Sequence, residues 1–227
     1  MSREKNRFHD IMYVDFKRFL MILSNTMKNK DFKKIAEFHG HVCPGVAYGY
    51  RVAKAALREL GEKAKDEEIV SIVENDSCAV DAIQVLVGST FGKGNLIFRD
   101  YGKQVYTFIN RKTGKGLRIG IDFKAYKETV KDKAVMDKFL SGNKSPQVMR
   151  EVRKVKDKKI AVILNSPEKG LLTIKNVKIK PPDKARIFPV VRCEICNEKV
   201  MEPRARIKEG KVVCLHCFEN PPSNPLY

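Results

Sequence analysis

Two pairs of cysteines near the end of the chain constrain its fold more than any other feature. The segment CEICNEKVMEPRARIKEGKVVCLHC holds Cys193, Cys196, Cys214 and Cys217 as two Cys-x-x-Cys pairs with 17 residues between them. Each pair can turn two sulfurs toward one point, and four thiolates complete the tetrahedral shell that zinc prefers. We therefore predict a zinc ribbon whose metal is structural, because four thiolates leave no open position for a substrate.

The cysteine pairs also indicate where the chain divides. Pro181 and Pro182 end the pattern of helices and strands that precedes them, because proline interrupts regular backbone hydrogen bonding. We predict an α+β domain at 1–180 and a zinc-ribbon module at 181–227. Within the module, the stretch IKEGKVVC is expected to form a hairpin that returns the chain to the second cysteine pair.

The chain is strongly basic, with 45 Lys and Arg against 27 Asp and Glu and a formal net charge of +18. Such a charge attracts polyanions, but it does not by itself give specificity. We interpret it chiefly as a well-solvated, lysine-rich surface. The less favoured alternative is that the ribbon contacts nucleic acid or RNA polymerase through basic side chains, namely Arg186, Arg192, Arg204, Arg206 and Lys208.

The beginning of the chain lacks the pattern of a membrane-directed segment. Its amphipathic stretch at 8–27 carries Asp15, Lys17 and Arg18 beside an apolar run of only five residues, Phe19 to Leu23. Signal peptides and membrane spans need longer uncharged apolar segments. We predict a cytoplasmic protein without membrane contact, and in a reducing compartment its six cysteines favour metal ligation over disulfides.

Hydrophobic periodicity predicts an α+β fold, with helices packed on a mostly antiparallel or mixed sheet. The predicted helices lie at 8–27, 31–37, 46–60, 126–140 and 146–155, with one more beginning near residue 76 or 77. The predicted strands lie at 69–73, 96–99, 105–110 and 116–121, in IAVILN and in LLTIKNVKI. The strands at 105–110 and 116–121 are expected to form a hairpin around a Lys-Thr-Gly turn.

A second group of metal-ligand residues lies in the stretch FHGHVCPG. Alternate residues of an extended loop face the same way, so His39, His41 and Cys43 can converge just before a predicted helix. Cys78 precedes a second helix, with Asp81 one turn further on. If the two junctions meet, His41, Cys43 and Cys78 would bind zinc or another divalent metal, with the fourth position open or filled by His39 or Asp81.

Simpler interpretations of these residues remain open. The two histidines could bond backbone carbonyls in a tight turn, Cys78 could be a small apolar side chain in a packed helix, and Cys43 could be fixed only by Pro44. The glycine-rich stretch GSTFGKGN raises a further alternative, because Lys93 and Lys103 could contact an anionic cofactor. It lacks the Walker pattern, and an ordinary turn is the favoured interpretation.

Three stretches resemble the FmdE family, whose members are related to a component of formylmethanofuran dehydrogenase: FHGHVCPGVAYGYRVAKAAL, DSCAVDAIQVLVGSTFGKGNL and DYGKQVYTFINRKTGKGLRI. The resemblance covers roughly residues 38–121, and this family often carries a C-terminal zinc finger similar to the DksA/TraR type. It implies an α+β fold with a metal, usually zinc, near the His-x-Cys element and the second cysteine. It also implies a metal-binding accessory or subunit-like protein associated with a molybdenum or tungsten dehydrogenase complex of one-carbon metabolism.

The chain departs from the family pattern at Ser89, where members commonly have a cysteine. It also has no ferredoxin-like run of cysteines, so it does not supply an iron–sulfur core of its own. Whether the chain is itself an enzyme stays open. In that alternative, His41, Cys43 and Cys78 would hold the metal for metal-assisted or redox chemistry, and Asp81 or His39 would transfer a proton. Whether the chain forms a homodimer is also left open.

Overall fold

The computed structural model of the chain describes residues 29–61 and 63–220. The helix that the sequence predicts at 8–27 lies outside these residues. The chain divides into two compact units, 1–184 and 185–227. The first unit contains the larger sheet and its helices, and the second contains the two Cys-x-x-Cys pairs.

A five-stranded mixed sheet forms the centre of the first unit. Its strands are β1 (Ile69–Val73), β2 (Leu96–Phe98), β3 (Val105–Asn110), β4 (Gly116–Ile121) and β5 (Leu172–Val177), in the spatial order β2-β1-β3-β4-β5. β2 runs parallel to β1, whereas the other neighbouring pairs are antiparallel. The predicted α+β class with a mixed sheet is therefore confirmed, as is the hairpin of β3 and β4.

Among the described residues, five α-helices accompany this sheet: α1 (Lys30–His39), α2 (Pro44–Leu60), α3 (Ala79–Val87), α4 (Val130–Leu140) and α5 (Pro146–Asn165). The main core lies between the helices and one face of the sheet, because alternate strand residues such as Ile69, Val73, Tyr106 and Phe108 are buried there. Within the described part of the chain, no helix is both long and apolar enough to span a bilayer.

The closest helix packing in this core joins α2 to α3 at Gly49. A Cβ atom at this position would lie 2.6 Å from Ala79 Cα and 2.8 Å from Ala82 Cβ. These distances are shorter than any normal carbon–carbon contact, so only glycine fits. Because Ala79 begins α3, the contact holds the first turn of α3 beside the first half of α2.

The predicted strand in IAVILN is wrong, because these six residues are the last part of α5. Val155, Ile160 and Ile163 are buried at helical spacing, so the apolar run belongs to one helix face. Arg51 of α2 stabilises the end of this helix by donating to the carbonyl oxygens of Ile163 and Leu164 at 2.7 and 3.0 Å. The side chain that bonds the last carbonyl groups of this helix is therefore remote from them in sequence.

The described part of the second unit contains two short hairpins, a 3-10 turn at Glu202–Arg204 and one short α-helix. The hairpins pair β6 (Val190–Arg192) with β7 (Lys199–Met201) and β8 (Arg206–Lys208) with β9 (Lys211–Val213), and α6 (Leu215–Glu219) follows. Glu209 and Gly210 connect β8 to β9 with φ angles of 51° and 78°, as a two-residue turn of the primed type requires. The hairpin predicted in IKEGKVVC is therefore confirmed.

Candidate metal centre

Cys43 and Cys78 occupy the N-terminal ends of α2 and α3. Cys43 is the residue before α2, and its Sγ accepts a hydrogen bond from the Val46 backbone N–H at 3.4 Å. Cys78 is the residue before α3. The partial positive charge of a helix N-terminus favours a thiolate over a thiol, which is the form that binds metals.

Gly45 allows these two cysteines to approach one another. A Cβ atom added to Gly45 would lie 3.7 Å from Cys43 Sγ, 3.6 Å from Cys78 Sγ and only 2.9 Å from Cys78 Cβ. The two sulfurs therefore border the same small space beside the first turn of α2. The fold brings together the two junctions that are 35 residues apart in sequence.

The donor atoms of His39, His41 and Cys43 all lie within 4.8 Å of one another. His39 Nε2 is 3.8 Å from Cys43 Sγ, and the two imidazole rings are 4.6 Å apart between centroids. A tetrahedral zinc ion with ordinary Zn–N and Zn–S bonds would separate a nitrogen and a sulfur ligand by about 3.6 Å. The separation of His39 and Cys43 thus suits two ligands of one zinc ion, and His41 lies close enough to be a candidate third ligand.

Asp81 lies behind His39 and fixes the orientation of its ring. His39 Nδ1 donates to Asp81 Oδ2 at 2.7 Å, which leaves Nε2 directed toward Cys43. Gln84 Nε2 in turn donates to the other oxygen of Asp81 at 3.5 Å. A carboxylate bonded to the remote nitrogen of a histidine sets its tautomer and raises its strength as a ligand. Asp81 therefore contacts the candidate ligand His39, on the side of the imidazole ring that faces away from Cys43.

Cys78 borders this group, but its Sγ is not among the donor atoms that all lie within 4.8 Å of one another. Burial raises the pKa of the Cys78 thiol, and the adjacent Cys43 raises it further. Two neighbouring thiols resist double ionisation because their negative charges repel, whereas a divalent cation between them would reverse that preference. His41 is exposed and both cysteines are half-buried, so the group is accessible from solvent.

The four cysteines of the second unit form a separate, closed cluster. All four sulfurs of Cys193, Cys196, Cys214 and Cys217 lie within 4.8 Å of one another, and those of Cys196 and Cys214 are 3.9 Å apart. Ordinary Zn–S bonds in a tetrahedron would separate two sulfurs by about 3.8 Å. Cys193 and Cys217 are buried, which removes them from competing solvent.

The electrostatics of this cluster also favour a cation at its centre. Burial opposes ionisation of Cys193, yet backbone N–H groups from Cys196, Cys214 and Ile195 outweigh it and lower its pKa to about 6. Burial and the neighbouring thiols instead raise the pKa of Cys217 to about 12. One thiolate is therefore stabilised by the backbone, while all four together need a divalent ion to neutralise their charge.

The family model described as "FmdE, Molybdenum formylmethanofuran dehydrogenase operon" matches residues 38–173, which is more than half of the chain. The chain belongs to the FmdE family. A second family model, "Prokaryotic dksA/traR C4-type zinc finger", matches residues 186–220 and contains the four clustered cysteines. Both parts of the predicted resemblance are confirmed, and the chain is a zinc-binding, FmdE-related protein whose C-terminal ribbon holds structural zinc.

Individual proteins are also similar to this chain. A curated Archaeoglobus fulgidus protein, named "Probable S-adenosyl-L-methionine-binding protein", is 32% identical over 189 residues, covering 80% of this chain and 50% of that protein. The chain thus spans about half the length of this curated relative. The crystal structure of a "tungsten formylmethanofuran dehydrogenase subunit e (fmde)-like protein" from Syntrophus aciditrophicus is 26% identical, with a TM-score of 0.53, and the match covers 84% of this chain and 91% of that one.

The two lysines considered for an anionic cofactor lie at opposite ends of β1 in the FmdE domain. Lys93 Nζ donates to the carbonyl oxygen of Asp66, before the strand, at 3.1 Å. The Lys103 backbone N–H bonds the carbonyl oxygen of Glu74, after the strand, and its ammonium lies 6.0 Å from the centroid of the Tyr101 ring. The structure therefore does not bring Lys93 and Lys103 into one site.

Ser89, the departure from the FmdE pattern, is buried just after the C-terminal end of α3. Its hydroxyl donates to the carbonyl oxygen of Ile69 at 3.0 Å, which joins the end of α3 to the start of β1. Cys78 lies at the other end of α3. A side chain at position 89 is therefore remote from the group formed by His39, His41 and Cys43.

Sequence reasoning missed the roles of Gly45 and Gly49. Both glycines lie inside α2, where glycine lowers helix stability relative to alanine. Such positions indicate close approach of another group, and here the groups are Cys78 and the first turn of α3. The glycines of CPGVAYG were the signal that could have revealed this packing.

Proposed function

We propose that this FmdE-family protein holds a second divalent metal ion, most simply zinc, between His39, His41 and Cys43, with Cys78 as the fourth ligand. The observation that carries the proposal is the convergence of three donor atoms within 4.8 Å, one of them on a histidine oriented by a carboxylate. Mixed imidazole and thiolate donors suit zinc, whereas magnesium and calcium prefer oxygen ligands.

Each residue of the proposed centre has a defined task. Cys43 and Cys78 would supply thiolates that the bound cation stabilises, and Gly45 leaves room for both sulfurs beside the first turn of α2. Asp81 holds His39 so that its Nε2 faces Cys43. A zinc ion bound there would supply Lewis-acid chemistry if one of its coordination positions were free.

We further propose that the chain acts as an accessory or subunit-like partner of a molybdenum- or tungsten-dependent dehydrogenase. The support is the family to which residues 38–173 belong and the similarity to an FmdE-like protein named after tungsten formylmethanofuran dehydrogenase. A shell closed by Cys78 agrees with an accessory role, because no position is then left for a substrate. Affinity purification from a host that expresses such a dehydrogenase would test it, with recovery of the dehydrogenase polypeptides as the expected result.

Metal analysis of the purified protein tests the central site directly. We expect about two zinc ions per chain in the wild type and about one in the double variant Cys43→Ala/Cys78→Ala, since one ion belongs to each site. The matched control is Cys214→Ala/Cys217→Ala, which should also retain about one ion, in the central site. A Cys43→Ala/Cys78→Ala protein that still binds two zinc ions would refute the central site.

The single variant Cys78→Ala separates the accessory role from the enzymatic alternative. If Cys78 is a ligand, its loss should weaken central zinc binding about as much as the loss of Cys43. Zinc retained with wild-type affinity in Cys78→Ala would instead indicate three protein ligands and an open position, which is the arrangement of catalytic zinc sites.

A further inference from the structure

An open cavity of about 700 Å³ lies at the C-terminal end of α3. Its lining includes Lys63, Lys65 and Lys93 together with the polar side chains of Gln84 and Thr90, and no acidic side chain belongs to the described lining. The volume is within the range of small-molecule sites. Gln84 and Thr90 come from the stretch DSCAVDAIQVLVGSTFGKGNL. Cys78 and Asp81 of this stretch belong to the candidate metal centre, whereas Thr90 has no part in it.

Backbone contacts hold the cavity in shape. The Ala64 N–H donates to the carbonyl oxygen of Val87 at 2.9 Å, so the loop at 63–65 lies against the last turn of α3. Lys63 Nζ donates to the carbonyl oxygen of Val85 at 2.6 Å, and Lys93 Nζ donates to that of Asp66 at 3.1 Å. These bonds position the ammonium groups without neutralising them, because carbonyl groups carry no net charge.

The net electrostatic effect in the cavity is attraction of anions. The C-terminal end of α3 contributes roughly half a negative charge, whereas the three lysines contribute three positive charges. Each ammonium has three N–H donors. Lys63 uses one on Val85 and Lys93 uses two, on Asp66 and on Lys65, so each keeps at least one donor for a ligand. The positive charges therefore outweigh the helix end, and donors remain for a ligand.

We propose that this cavity binds the phosphate group of a small molecule. Phosphate carries more negative charge than a single carboxylate and offers several acceptor oxygens, which suits three separate ammonium groups better than a bidentate pair. The volume leaves room for an organic part beyond the phosphate. Thr90 and Gln84 supply further hydrogen-bonding groups at the wall.

The position of Gln84 connects this cavity to the metal centre. Gln84 lines the cavity and also donates to Asp81, which accepts from His39. A ligand anchored by its phosphate would thus lie along α3, the helix that Cys78 precedes and that carries Asp81. This connection rests on the proposed function, whereas phosphate binding by the lysines does not.

Titration calorimetry with inorganic pyrophosphate at about 0.15 M ionic strength, where the Debye length is about 8 Å, tests the proposal. The variant Lys63→Gln/Lys65→Gln/Lys93→Gln should bind pyrophosphate at least about tenfold more weakly than the wild type, a loss of roughly 1.4 kcal/mol. The matched control Lys127→Gln/Lys131→Gln/Lys138→Gln removes the same charge from exposed positions outside the cavity. It should change the affinity by less than about twofold, because separated surface charges are largely screened.

A single variant guards against misfolding of the triple variant. The side chain of Lys65 is exposed, so Lys65→Glu disturbs none of the bonds that hold the cavity. It should retain the thermal unfolding midpoint of the wild type and still lose pyrophosphate affinity. Wild-type affinity in Lys65→Glu and in the cavity triple variant would overturn the proposal, as would equal losses in the cavity and control triple variants.

Two further measurements fix the ligand class and separate this site from the metal centre. Citrate, a polycarboxylate, should bind more weakly than pyrophosphate, and tighter citrate binding would overturn the assignment to phosphate. The Cys43→Ser/Cys78→Ser variant should keep its pyrophosphate affinity while losing the central metal. Loss of pyrophosphate binding in that variant, with the fold intact, would contradict an independent phosphate site.

Discussion

The bond between His39 and Asp81 determines which nitrogen of the histidine can face a metal. His39 ends α1, and the following Gly40 has a left-handed φ of 85° that turns the chain back toward His41. Asp81 reaches His39 from α3, so the orientation of the ring depends on two helices. A carboxylate in this position favours the tautomer with the proton on Nδ1 and the lone pair on Nε2.

We expect Asp81→Asn to weaken central zinc binding by about 10- to 100-fold, as is typical for loss of a carboxylate behind a ligating histidine. The amide has nearly the same shape, but it lacks the charge and can present a donor to Nδ1. Competition with a chromophoric chelator measures the affinity. The control is Asp137→Asn on the exposed face of α4, and an affinity as high in Asp81→Asn as in that control would contradict the positioning role.

At the scale of elements, the contact of α2 with α3 brings the two cysteines together. Gly49 removes the side chain that would separate the helices, and Gly45 does the same beside the sulfurs. Glycine inside a helix costs about 0.5–1 kcal/mol relative to alanine. The close packing of the two helices offsets that cost and fixes the distance between their N-terminal ends.

We expect Gly49→Ala to destabilise the first unit and weaken central zinc binding. The added methyl group would collide with Ala79 and Ala82, which costs about 1–3 kcal/mol for overpacking, while the better helix propensity of alanine returns up to about 1 kcal/mol. Urea unfolding measures the first effect and zinc competition the second. Gly170→Ala is the control, since a Cβ there meets no atom within 4 Å; equal behaviour of the two variants would refute the argument.

The limits of some strands were predicted correctly because local sequence signals mark where those strands begin and end. The strands at 69–73, 105–110 and 116–121 have the predicted limits, since charged or turn-forming residues flank each apolar run. The strand prediction for IAVILN failed because a short apolar run does not distinguish a buried strand from a helix face. The helix is also stabilised there by Arg51, which is more than 100 residues away in sequence.

For the candidate site, the sequence predicted the ligand types but not their partners. Histidine and cysteine at alternate positions near helix starts indicated a metal centre, and that indication needs only local spacing. The bond of Asp81 to His39, which spans 42 residues, depends on how α1 packs near α3. The fit of Cys78 against Gly45 likewise depends on helix packing that no local pattern contains.

At the scale of the whole molecule, the two units depend on metal to different extents. The first unit has a large apolar core between helices and sheet. In the second, the described buried cluster consists only of Cys193, Val213 and Cys217. A unit shorter than about 70 residues seldom folds on an apolar core alone, so zinc binding supplies most of the folding free energy of the ribbon.

We expect removal of zinc by excess chelator to unfold the ribbon while the sheet of the first unit stays folded. Limited proteolysis read by mass spectrometry should then cut within 186–220, because the apo ribbon lacks its crosslink, and leave the strands of the first unit protected. Re-addition of zinc before the protease serves as the control. A ribbon that resists cleavage without zinc would show that its fold does not need the metal.

The side chain of Arg51 has a consequence for motion. It extends from α2, the helix that Cys43 precedes, and donates to the carbonyl groups of Ile163 and Leu164 near the end of α5. A tilt of α2 would therefore have to break these bonds or move α5 with it. A ligand that displaced the Cys43 end of α2 would thus shift α5 and the exposed side chains of Lys154, Lys156 and Lys158 that it carries.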